Sequence, residues 1–297
     1  MREEMVEPEN NPVKNIIGVS EIVENFEGYI IDLWGVLHDG EMAFPFALET
    51  LKQLKKKGKQ VCLLSNAPHS KAYIQKKMAG MGFFEQEHYD DIITSGEASR
   101  QFLRSSATMG QKLYHIGDAV EREVFEDLGF QEVSDPKDAD FILNTGRERQ
   151  HFEVECYQER LSLCAQNNLP MVCANPDLIV YSGAVDQLVI CAGEIARHYE
   201  ILGGKVRYFG KPHDAVYQQC YKILNCSKDK ILAVGDAMVT DIKGANNQGI
   251  SSLLIASGIH HVELVTQEGR LSKATQLERF LNKWPEKMTY LTSFFSW

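Results

Sequence analysis

The sequence has few of the features that mark secreted or membrane-spanning proteins. Its seven cysteines are odd in number and include no Cys-x-x-Cys pair, which argues against a disulfide or zinc framework and favours reduced core residues. No stretch approaches about 18 uninterrupted apolar residues, and the N-terminal segment MREEMVEPENNPVKN lacks the apolar region of a signal peptide. We therefore expect a cytoplasmic protein with no membrane partner.

The sequence also lacks an excess of basic residues. Its 31 Lys and Arg are outnumbered by 41 Asp and Glu, giving a formal net charge of -10, which argues against a nucleic acid as the main partner. A small phosphorylated metabolite is still compatible with this charge, because a few local cations and a metal ion can reverse the field inside one cleft. The length of 297 residues favours two domains.

The order of apolar and amphipathic segments predicts an α/β fold. Short apolar runs alternate with amphipathic stretches of about ten residues or more, as in parallel strands joined by crossover helices. We predict a doubly wound parallel-sheet core formed by residues 1–104 and 205–297, with residues 105–204 inserted as an α/β cap. The predicted core strands are 28–32, 60–66, 91–95, 205–210, 230–236 and 250–257, and a cap helix is predicted over 188–204.

Polar side chains end several of the predicted core strands. Parallel strands are buried on both faces and bind ligands at their carboxyl ends, so these side chains should converge on one crevice if the strands are neighbours. Any one of them, taken alone, is more often a turn or helix-capping residue. Their occurrence on successive strands favours a functional site, whose members are Asp32, Ser65, Asn66, Lys211, Asp236 and Asp241.

This set of side chains indicates phosphate chemistry. Carboxylates at neighbouring strand ends suit Mg²⁺, which takes oxygen ligands from carboxylates, water and substrate phosphate. With the metal and Lys211 neutralising charge, Asp32 could attack phosphorus as a nucleophile and form an acyl phosphate that water later hydrolyses. The hydroxyl of Ser65 and backbone N–H groups after Asp32 would then hold the non-bridging oxygens.

The same residues lie in motifs that resemble those of the haloacid dehalogenase-like hydrolases. The resemblance is to the branch with ribonucleotide monophosphatase-like sugar phosphatases, 4-nitrophenyl phosphatases and pyridoxal phosphatase, and it runs from about Val23 to Gly258. The 144 residues between Asn66 and Lys211 leave room for the large cap of that branch. The four motifs are DLWGV at 32–36, LLSNAPH at 63–69, YFGKPH at 208–213 and VGDAMVTDIKGANNQG at 234–249.

The resemblance implies a Mg²⁺-dependent phosphoric monoester hydrolase that acts on a small phosphorylated metabolite through an aspartyl-phosphate intermediate. It also implies a homodimer formed through the cap. Asp32 would be the nucleophile and a metal ligand, and the Trp34 carbonyl and Asp236 would be further ligands. Asp241 would act nearby through a metal-bound water. The residues implied in substrate binding are Ser65, Asn66 and Lys211 at the phosphoryl group and Asn175 and Asp177 on the cap.

Trp34 departs from the family pattern. Phosphatases of this family carry an aspartate there that protonates the leaving alcohol, and an indole N–H has no proton to give near neutral pH. One alternative is a phosphatase that is slow, prefers good leaving groups or uses another acid such as His38. A second is a metabolite-binding protein that has lost catalysis. A dehalogenase ranks last, because those enzymes lack the metal-binding aspartates kept here. We expect His38, a lone histidine in a loop, to lie on the surface.

Overall fold

The computed structural model describes residues 13–106, 109–182, 187–266 and 269–297. The strands in these ranges are β1 (Lys14–Asn15), β2 (Gly28–Ile31), β3 (Gln60–Ser65), β4 (Asp91–Thr94), β5 (Lys112–Ile116), β6 (Gln131–Glu132), β7 (Phe141–Asn144), β8 (Pro170–Cys173), β9 (Ile179–Ser182), β10 (Gln187–Ile190), β11 (Lys205–Tyr208), β12 (Ile231–Gly235), β13 (Ser251–Ile255) and β14 (Tyr290–Thr292). The α-helices are α1 (Pro45–Lys56), α2 (Lys71–Gly80), α3 (Ser95–Ser105), α4 (Gln158–Gln166), α5 (Ala192–Ile201), α6 (Asp214–Leu224), α7 (Lys243–Gln248), α8 (His261–Leu264) and α9 (Ala274–Leu281).

The larger sheet has seven parallel strands in the order β1-β14-β13-β12-β2-β3-β4. The chain moves outward from β2 through β3 to β4, and later outward from β12 through β13 to β14. The direction of winding therefore reverses between the neighbouring strands β2 and β12. Such a reversal leaves a crevice at the carboxyl ends of the two strands, where doubly wound proteins bind ligands. The predicted fold class is confirmed.

Hydrophobic side chains cover both faces of this sheet. On one face, α1 buries Leu51 and Leu54 with Tyr29 and Leu63 of the sheet. On the other, α6 packs with Ile30, Cys62 and Ala233. Burial on both faces explains why the central strands read as continuous apolar runs. None of the helices in the described ranges is long and apolar enough to cross a membrane.

A second parallel sheet has five strands in the order β11-β8-β7-β5-β6, and an antiparallel hairpin is formed by β9 and β10. We propose that this sheet and hairpin form the inserted cap. The prediction that residues 205–210 belong to the core sheet is wrong, because β11 pairs with β8. Its exposed Lys205 and Arg207 are typical of an edge strand. The sequence of an edge strand does not decide which of the two sheets it joins. We therefore propose that the cap extends to Tyr208.

Two other elements differ from the sequence-based expectation. The helix predicted over 188–204 begins only at Ala192, because Gln187–Ile190 pairs with β9 as a strand. No core strand was predicted after residue 257, yet Tyr290–Thr292 forms β14 between β13 and β1. All seven cysteines are free thiols, and most of them are buried.

Candidate active site

Two carboxylates meet where the winding of the larger sheet reverses. Asp32 directly follows β2, and its backbone N–H donates to the carbonyl of Val234 on β12 at 2.9 Å. Asp236 directly follows β12, and its Oδ2 accepts from the N–H of Ile259 at 2.8 Å. Because neighbouring parallel strands end at the same edge, both carboxylates point into one crevice. Both are poorly accessible to solvent: the Asp32 side chain is 12% exposed and Asp236 is 8% exposed.

A buried lysine joins the third carboxylate to the first. Lys211 is 3% exposed, and its Nζ lies 2.7 Å from Asp32 Oδ1 and 2.8 Å from Asp241 Oδ1. Asp241 lies in a π-helical turn, Met238–Ile242, and its Oδ2 accepts from the N–H of Ala237 at 3.1 Å. Oxygen atoms of Asp32, Asp236 and Asp241 lie within 4.8 Å of one another.

The electrostatic balance of the cluster is negative. Burial, the largest cause, raises the pKa of Asp32 to about 7, while Lys211 opposes this shift and Asp241 adds to it. Burial and the neighbouring Asp32 also raise the pKa of Asp236 well above its usual range. Burial alone would lower the pKa of Lys211, but Asp241 and Asp32 outweigh it and raise that pKa. One ammonium thus stands against three buried carboxyl groups and cannot compensate all of them if they are ionised. A further cation would therefore stabilise the cluster.

Asn66 ties the cap and the Lys211 segment together. Its Nδ2 donates to Asp177 Oδ1 at 2.8 Å and to the Lys211 carbonyl at 3.1 Å, and its Oδ1 accepts from the Lys211 N–H at 2.7 Å. Asn175 Oδ1 accepts from the N–H of Asp177 at 3.0 Å. The buried Ser65 holds the next turn, because its Oγ accepts from the N–H of Ala67 at 3.1 Å. All nine residues predicted for the site therefore lie around one crevice.

Two family models match the chain. One, described as haloacid dehalogenase-like hydrolase, matches residues 29–131, and the other, described as HAD-hydrolase-like, matches residues 208–277. The chain belongs to the haloacid dehalogenase-like hydrolase family. The matched segments contain Asp32, Lys211, Asp236 and Asp241, which form the cluster.

Several curated proteins and solved structures are similar to this chain over most of its length. The 5'-nucleotidase YutF of Bacillus subtilis is 24% identical over 268 residues, covering 88% of this chain and 98% of that protein. Ribonucleotide monophosphatase NagD of Escherichia coli is 25% identical over 236 residues, covering 79% of this chain and 89% of that protein. The structure of a haloacid dehalogenase-like hydrolase from Brucella suis 1330 superposes with a TM-score of 0.78 at 27% identity. The match covers 93% of this chain and 98% of that structure. The predicted family branch and the prediction of a phosphatase-type hydrolase are confirmed.

The loop after Asp32 depends on two glycines. Gly35 has a φ of +75°, and a Cβ there would collide with the carboxylate of Asp236. Gly40 has a φ of +104°, and a Cβ there would lie 2.5 Å from Cη2 of Trp34. Only glycine adopts such φ values at little cost. One glycine therefore lets the loop approach Asp236, and the other makes room for the indole of Trp34.

Trp34 separates two cavities above the carboxylate cluster. The larger cavity, of about 480 Å³, reaches Asp32 and the cap residues Asn175 and Asp177. The smaller, of about 320 Å³, reaches Asp236 and the β9–β10 hairpin. Trp34 lines both. Its indole therefore lies in the cleft instead of filling the hydrophobic core.

The expectation that His38 lies on the surface is wrong. His38 is 3% exposed, lines the larger cavity and packs edge-on against Trp34 with ring centroids 5.7 Å apart. Burial, reinforced by Lys77, lowers the pKa of His38 to about 4. Its Nδ1 faces the N–H of Gly40 at 2.9 Å and accepts that hydrogen bond. A neutral imidazole of this kind is a poor proton donor near pH 7.

Several polar residues of the larger cavity were missed by the sequence analysis, among them a lysine, a glutamate and an arginine. Lys77 lies on α2, and Glu121 and Arg147 come from the cap. Burial raises the pKa of Glu121, whose Oε2 accepts from the hydroxyl of Thr145 at 2.6 Å. None of the three ends a predicted core strand. Only the approach of the two sheets in space could reveal them.

The carboxylate cluster fits a hard divalent cation. Asp236 has no lysine, arginine or histidine nitrogen within 4.0 Å among the described residues, although its carboxylate is buried. The Trp34 carbonyl accepts no hydrogen bond from that part of the chain. Carboxylate and backbone carbonyl oxygens are the ligands that Mg²⁺ prefers in proteins. The residues predicted as metal ligands, namely Asp32, Trp34, Asp236 and Asp241, therefore have suitable chemistry for Mg²⁺.

Proposed function

We propose that the protein is a Mg²⁺-dependent phosphoric monoester hydrolase that acts on a small phosphorylated metabolite through an aspartyl-phosphate intermediate. One observation carries this proposal: the Lys211 ammonium lies between Asp32 and Asp241, and Asp32 lines a cavity of about 480 Å³. A buried nucleophile, a fixed cation and an adjoining space for an organic group are the parts that phosphoryl transfer needs.

In the proposed reaction, a carboxylate oxygen of Asp32 attacks phosphorus and the bond from phosphorus to the ester oxygen breaks. The electron pair leaves with the ester oxygen, which takes up a proton from solvent water. Water then attacks phosphorus, and inorganic phosphate leaves as the carboxylate of Asp32 is regenerated. Lys211 fixes Oδ1 of Asp32, so Oδ2 is the oxygen left to attack. Lys211 and the hydroxyl of Ser65 would bind the phosphoryl oxygens.

The metal ion would be held by Asp32, Asp236 and the Trp34 carbonyl, with Asp241 close by. When bound, it supplies positive charge that lets a phosphate dianion approach the carboxylates. Asn66 is assigned to the phosphoryl group by the family resemblance, and its amide is already engaged by Lys211 and Asp177. We therefore propose that Asn66 acts by orienting Lys211. Asn175 and Asp177 remain predicted substrate contacts at the cap wall.

The second candidate function is a metabolite-binding protein with little or no catalysis. Trp34 favours it, because the indole occupies the place of the family's general acid and His38 beside it is neutral. Loss of a general acid costs on the order of 10² to 10⁴ in rate for a poor leaving group and less for a good one. A dehalogenase ranks third, because Asp236 and Asp241 would serve no purpose in that reaction. Location in the cytoplasm and dimerisation through the cap remain predictions.

Phosphate release from para-nitrophenyl phosphate and acetyl phosphate tests the proposal directly. Both have good leaving groups, so they need little help from an acid. We expect turnover that requires millimolar Mg²⁺ and disappears in the Asp32→Asn variant. An Asp39→Asn variant is the matched control, because Asp39 accepts from the N–H groups of Glu41 and Met42 in a turn and lines the smaller cavity, not the larger one that Asp32 lines.

The two candidate functions separate clearly in this assay. Mg²⁺-dependent turnover that Asp32→Asn removes supports the hydrolase. If folded protein binds Mg²⁺ and inorganic phosphate but releases no more phosphate than Asp32→Asn, the binding protein is supported instead. Turnover that persists in Asp32→Asn would exclude an aspartyl-phosphate at this position.

A further inference from the structure

Two cations on the walls of the larger cavity have no carboxylate partner among the described residues. They are Lys77, on α2 beside the seven-stranded sheet, and Arg147, which follows β7 of the second sheet by three residues. The chain as a whole carries a net charge of -10, so acidic partners are abundant. Two cations that stay unpaired at a cleft of such an acidic protein indicate a bound ligand that carries the missing negative charge.

Lys77 is held by an aromatic face instead of an acid. Its Nζ lies 5.4 Å from the centroid of the Trp34 ring, and the residue is half-buried. Glu41 acts on it only from beyond ion-pair distance. Lys71 on the same helix, by contrast, forms an ion pair with Asp91. A cation–π contact orients an ammonium without neutralising it, so Lys77 keeps its charge and its N–H donors for a ligand.

Arg147 is held in the same manner. Its guanidinium lies 4.5 Å from the ring centroid of Phe152, and its Nη1 donates to the carbonyls of Glu148 and Arg149. A guanidinium has five N–H donors, so the remaining donors can bind an anion. The neighbouring Arg149 differs, because its Nε is 2.7 Å from Asp118 Oδ2.

The carboxylates that line this cavity are already engaged elsewhere. Asp118 pairs with Arg149, and Asp177 accepts from Asn66. Glu121 accepts from the hydroxyl of Thr145 at 2.6 Å and from the N–H of Asp118 at 3.0 Å. Asp32 is paired with Lys211. None of these groups neutralises Lys77 or Arg147, so a ligand in the cavity would meet two uncompensated positive charges.

We propose that Lys77 and Arg147 form an anion subsite, and that the substrate is a phosphate monoester with a second anionic group on its organic part. This inference rests on the proposed function, because it places the ester phosphate at Asp32 and the second anion on the cavity wall. A carboxylate and a second phosphate share the required chemistry. The cavity of about 480 Å³ limits the organic part to a small molecule.

Binding to the Asp32→Asn variant in the presence of Mg²⁺ tests the subsite without turnover. Calorimetric titrations compare D-glycerate 3-phosphate with sn-glycerol 3-phosphate, which share a primary alkyl ester and differ by one carboxylate. Fructose 1,6-bisphosphate and fructose 1-phosphate form the matched pair for a second phosphate. In at least one of the two pairs, we expect the ligand with the second anionic group to bind about tenfold or more tightly than its neutral-tailed partner. A charge-assisted hydrogen bond provides a difference of that size.

Substitutions on both walls assign the effect to residues. Lys77→Gln and Arg147→Gln, each in the Asp32→Asn background, should remove most of that preference and leave the affinity for the neutral-tailed ester within about twofold. Lys76→Gln is the matched control on the exposed face of α2. It should not change the preference.

The outcomes separate this inference from the proposed function. Equal affinity for both members of both pairs overturns the subsite, as does a Lys77→Gln variant that weakens all four ligands equally. No binding of any of the four to folded Mg²⁺-loaded protein overturns it as well. If the preference and its loss are both seen but the wild-type protein hydrolyses none of the esters, the subsite stands and the hydrolase proposal fails.

Discussion

Asn66 binds the Lys211 backbone at both its N–H and its carbonyl, with distances of 2.7 Å and 3.1 Å. The same amide group donates to Asp177 of the cap at 2.8 Å. Lys211 is thus held at both of its backbone polar groups, which leaves its side chain little freedom. Its ammonium is therefore fixed between Asp32 and Asp241, and the cap is linked to that geometry through one side chain.

Replacing Asn66 should impair catalysis by misplacing Lys211. We expect Asn66→Ala to lower kcat/KM for para-nitrophenyl phosphate by roughly 10- to 100-fold, because a displacement of about 1 Å at a reacting centre has an effect of that size. Asn247→Ala is the control, since Asn247 contacts the same loop from outside through the carbonyl of Pro212 at 3.3 Å. Wild-type kinetics in folded Asn66→Ala would show that Lys211 keeps its position without the amide.

Removing a carboxylate from the cluster should stabilise the metal-free protein. Asp236 is buried near Asp32 and Asp241, and like charges in such a site disfavour folding. An asparagine can still accept from the N–H of Ile259. We expect Asp236→Asn to raise the unfolding temperature by a few degrees in EDTA and to lose the further rise that Mg²⁺ gives the wild-type protein.

Thermal unfolding with and without Mg²⁺ measures both effects. Asp39→Asn, in the nearby turn, should respond to Mg²⁺ as the wild type does. A full Mg²⁺-dependent rise in Asp236→Asn would show that the ion binds without this carboxylate. A lower unfolding temperature in EDTA would show that the charge of Asp236 contributes more to stability than its repulsion removes.

The buried His115 should make the stability of the second sheet depend on pH. Burial lowers the pKa of His115 from 6.5 to about 4, and its Nε2 lies 2.8 Å from the Thr145 hydroxyl. In the unfolded chain the imidazole binds a proton near pH 6.5, whereas in the native protein it stays neutral until about pH 4. The unfolded state therefore binds more protons as pH falls through this window, and stability decreases.

Urea unfolding at pH 7 and pH 5 checks this expectation. His115 should account for a loss of about 2 kcal/mol between the two values. In His115→Gln the decrease in the free energy of unfolding should be smaller by that amount. An equal decrease in both proteins would mean that other groups cause the pH dependence, such as His38 and His260, whose pKa values burial also lowers to about 4.

The core of the fold and the carboxylate cluster could be predicted because their signals are local. A buried parallel strand is a short apolar run, and the residue that follows it lies at the ligand-binding edge. This places Asp32 and Asp236 correctly from a few residues each. The cluster also needs β2 and β12 to be neighbours, and the doubly wound topology provides that.

The features that the sequence did not reveal depend on contacts between distant segments. The short strand β11 could extend either sheet, and only its pairing with β8 decides between them. Lys77 carries no local mark of function, since lysines are common on exposed helix surfaces. Its significance comes from the Trp34 ring beneath it and from the lack of an acid within ion-pair distance in the described part of the chain.

Restoring a carboxylate at position 34 should convert a slow hydrolase into a faster one. We expect Trp34→Asp to raise kcat for sn-glycerol 3-phosphate tenfold or more, because an alkoxide leaving group needs a proton and a general acid contributes on the order of 10² to 10⁴. The gain for para-nitrophenyl phosphate should be smaller, because its leaving group needs little protonation. The new carboxylate would lie near the Lys77 ammonium, which offsets part of its charge.

The Trp34→Phe variant distinguishes the effect of adding an acid at position 34 from the effect of removing the bulk of the indole. The phenyl ring gives no proton, so this variant should keep wild-type rates on both esters, and Asp32→Asn should abolish activity in every background. Equal gains in Trp34→Asp and Trp34→Phe would mean that the indole limits substrate access and not proton transfer. No gain in either, with ligand binding intact, would mean that the loop after Asp32 no longer presents the ester oxygen to residue 34. The cleft would then be a binding site that lacks the general acid and whose geometry is also unsuited to hydrolysis.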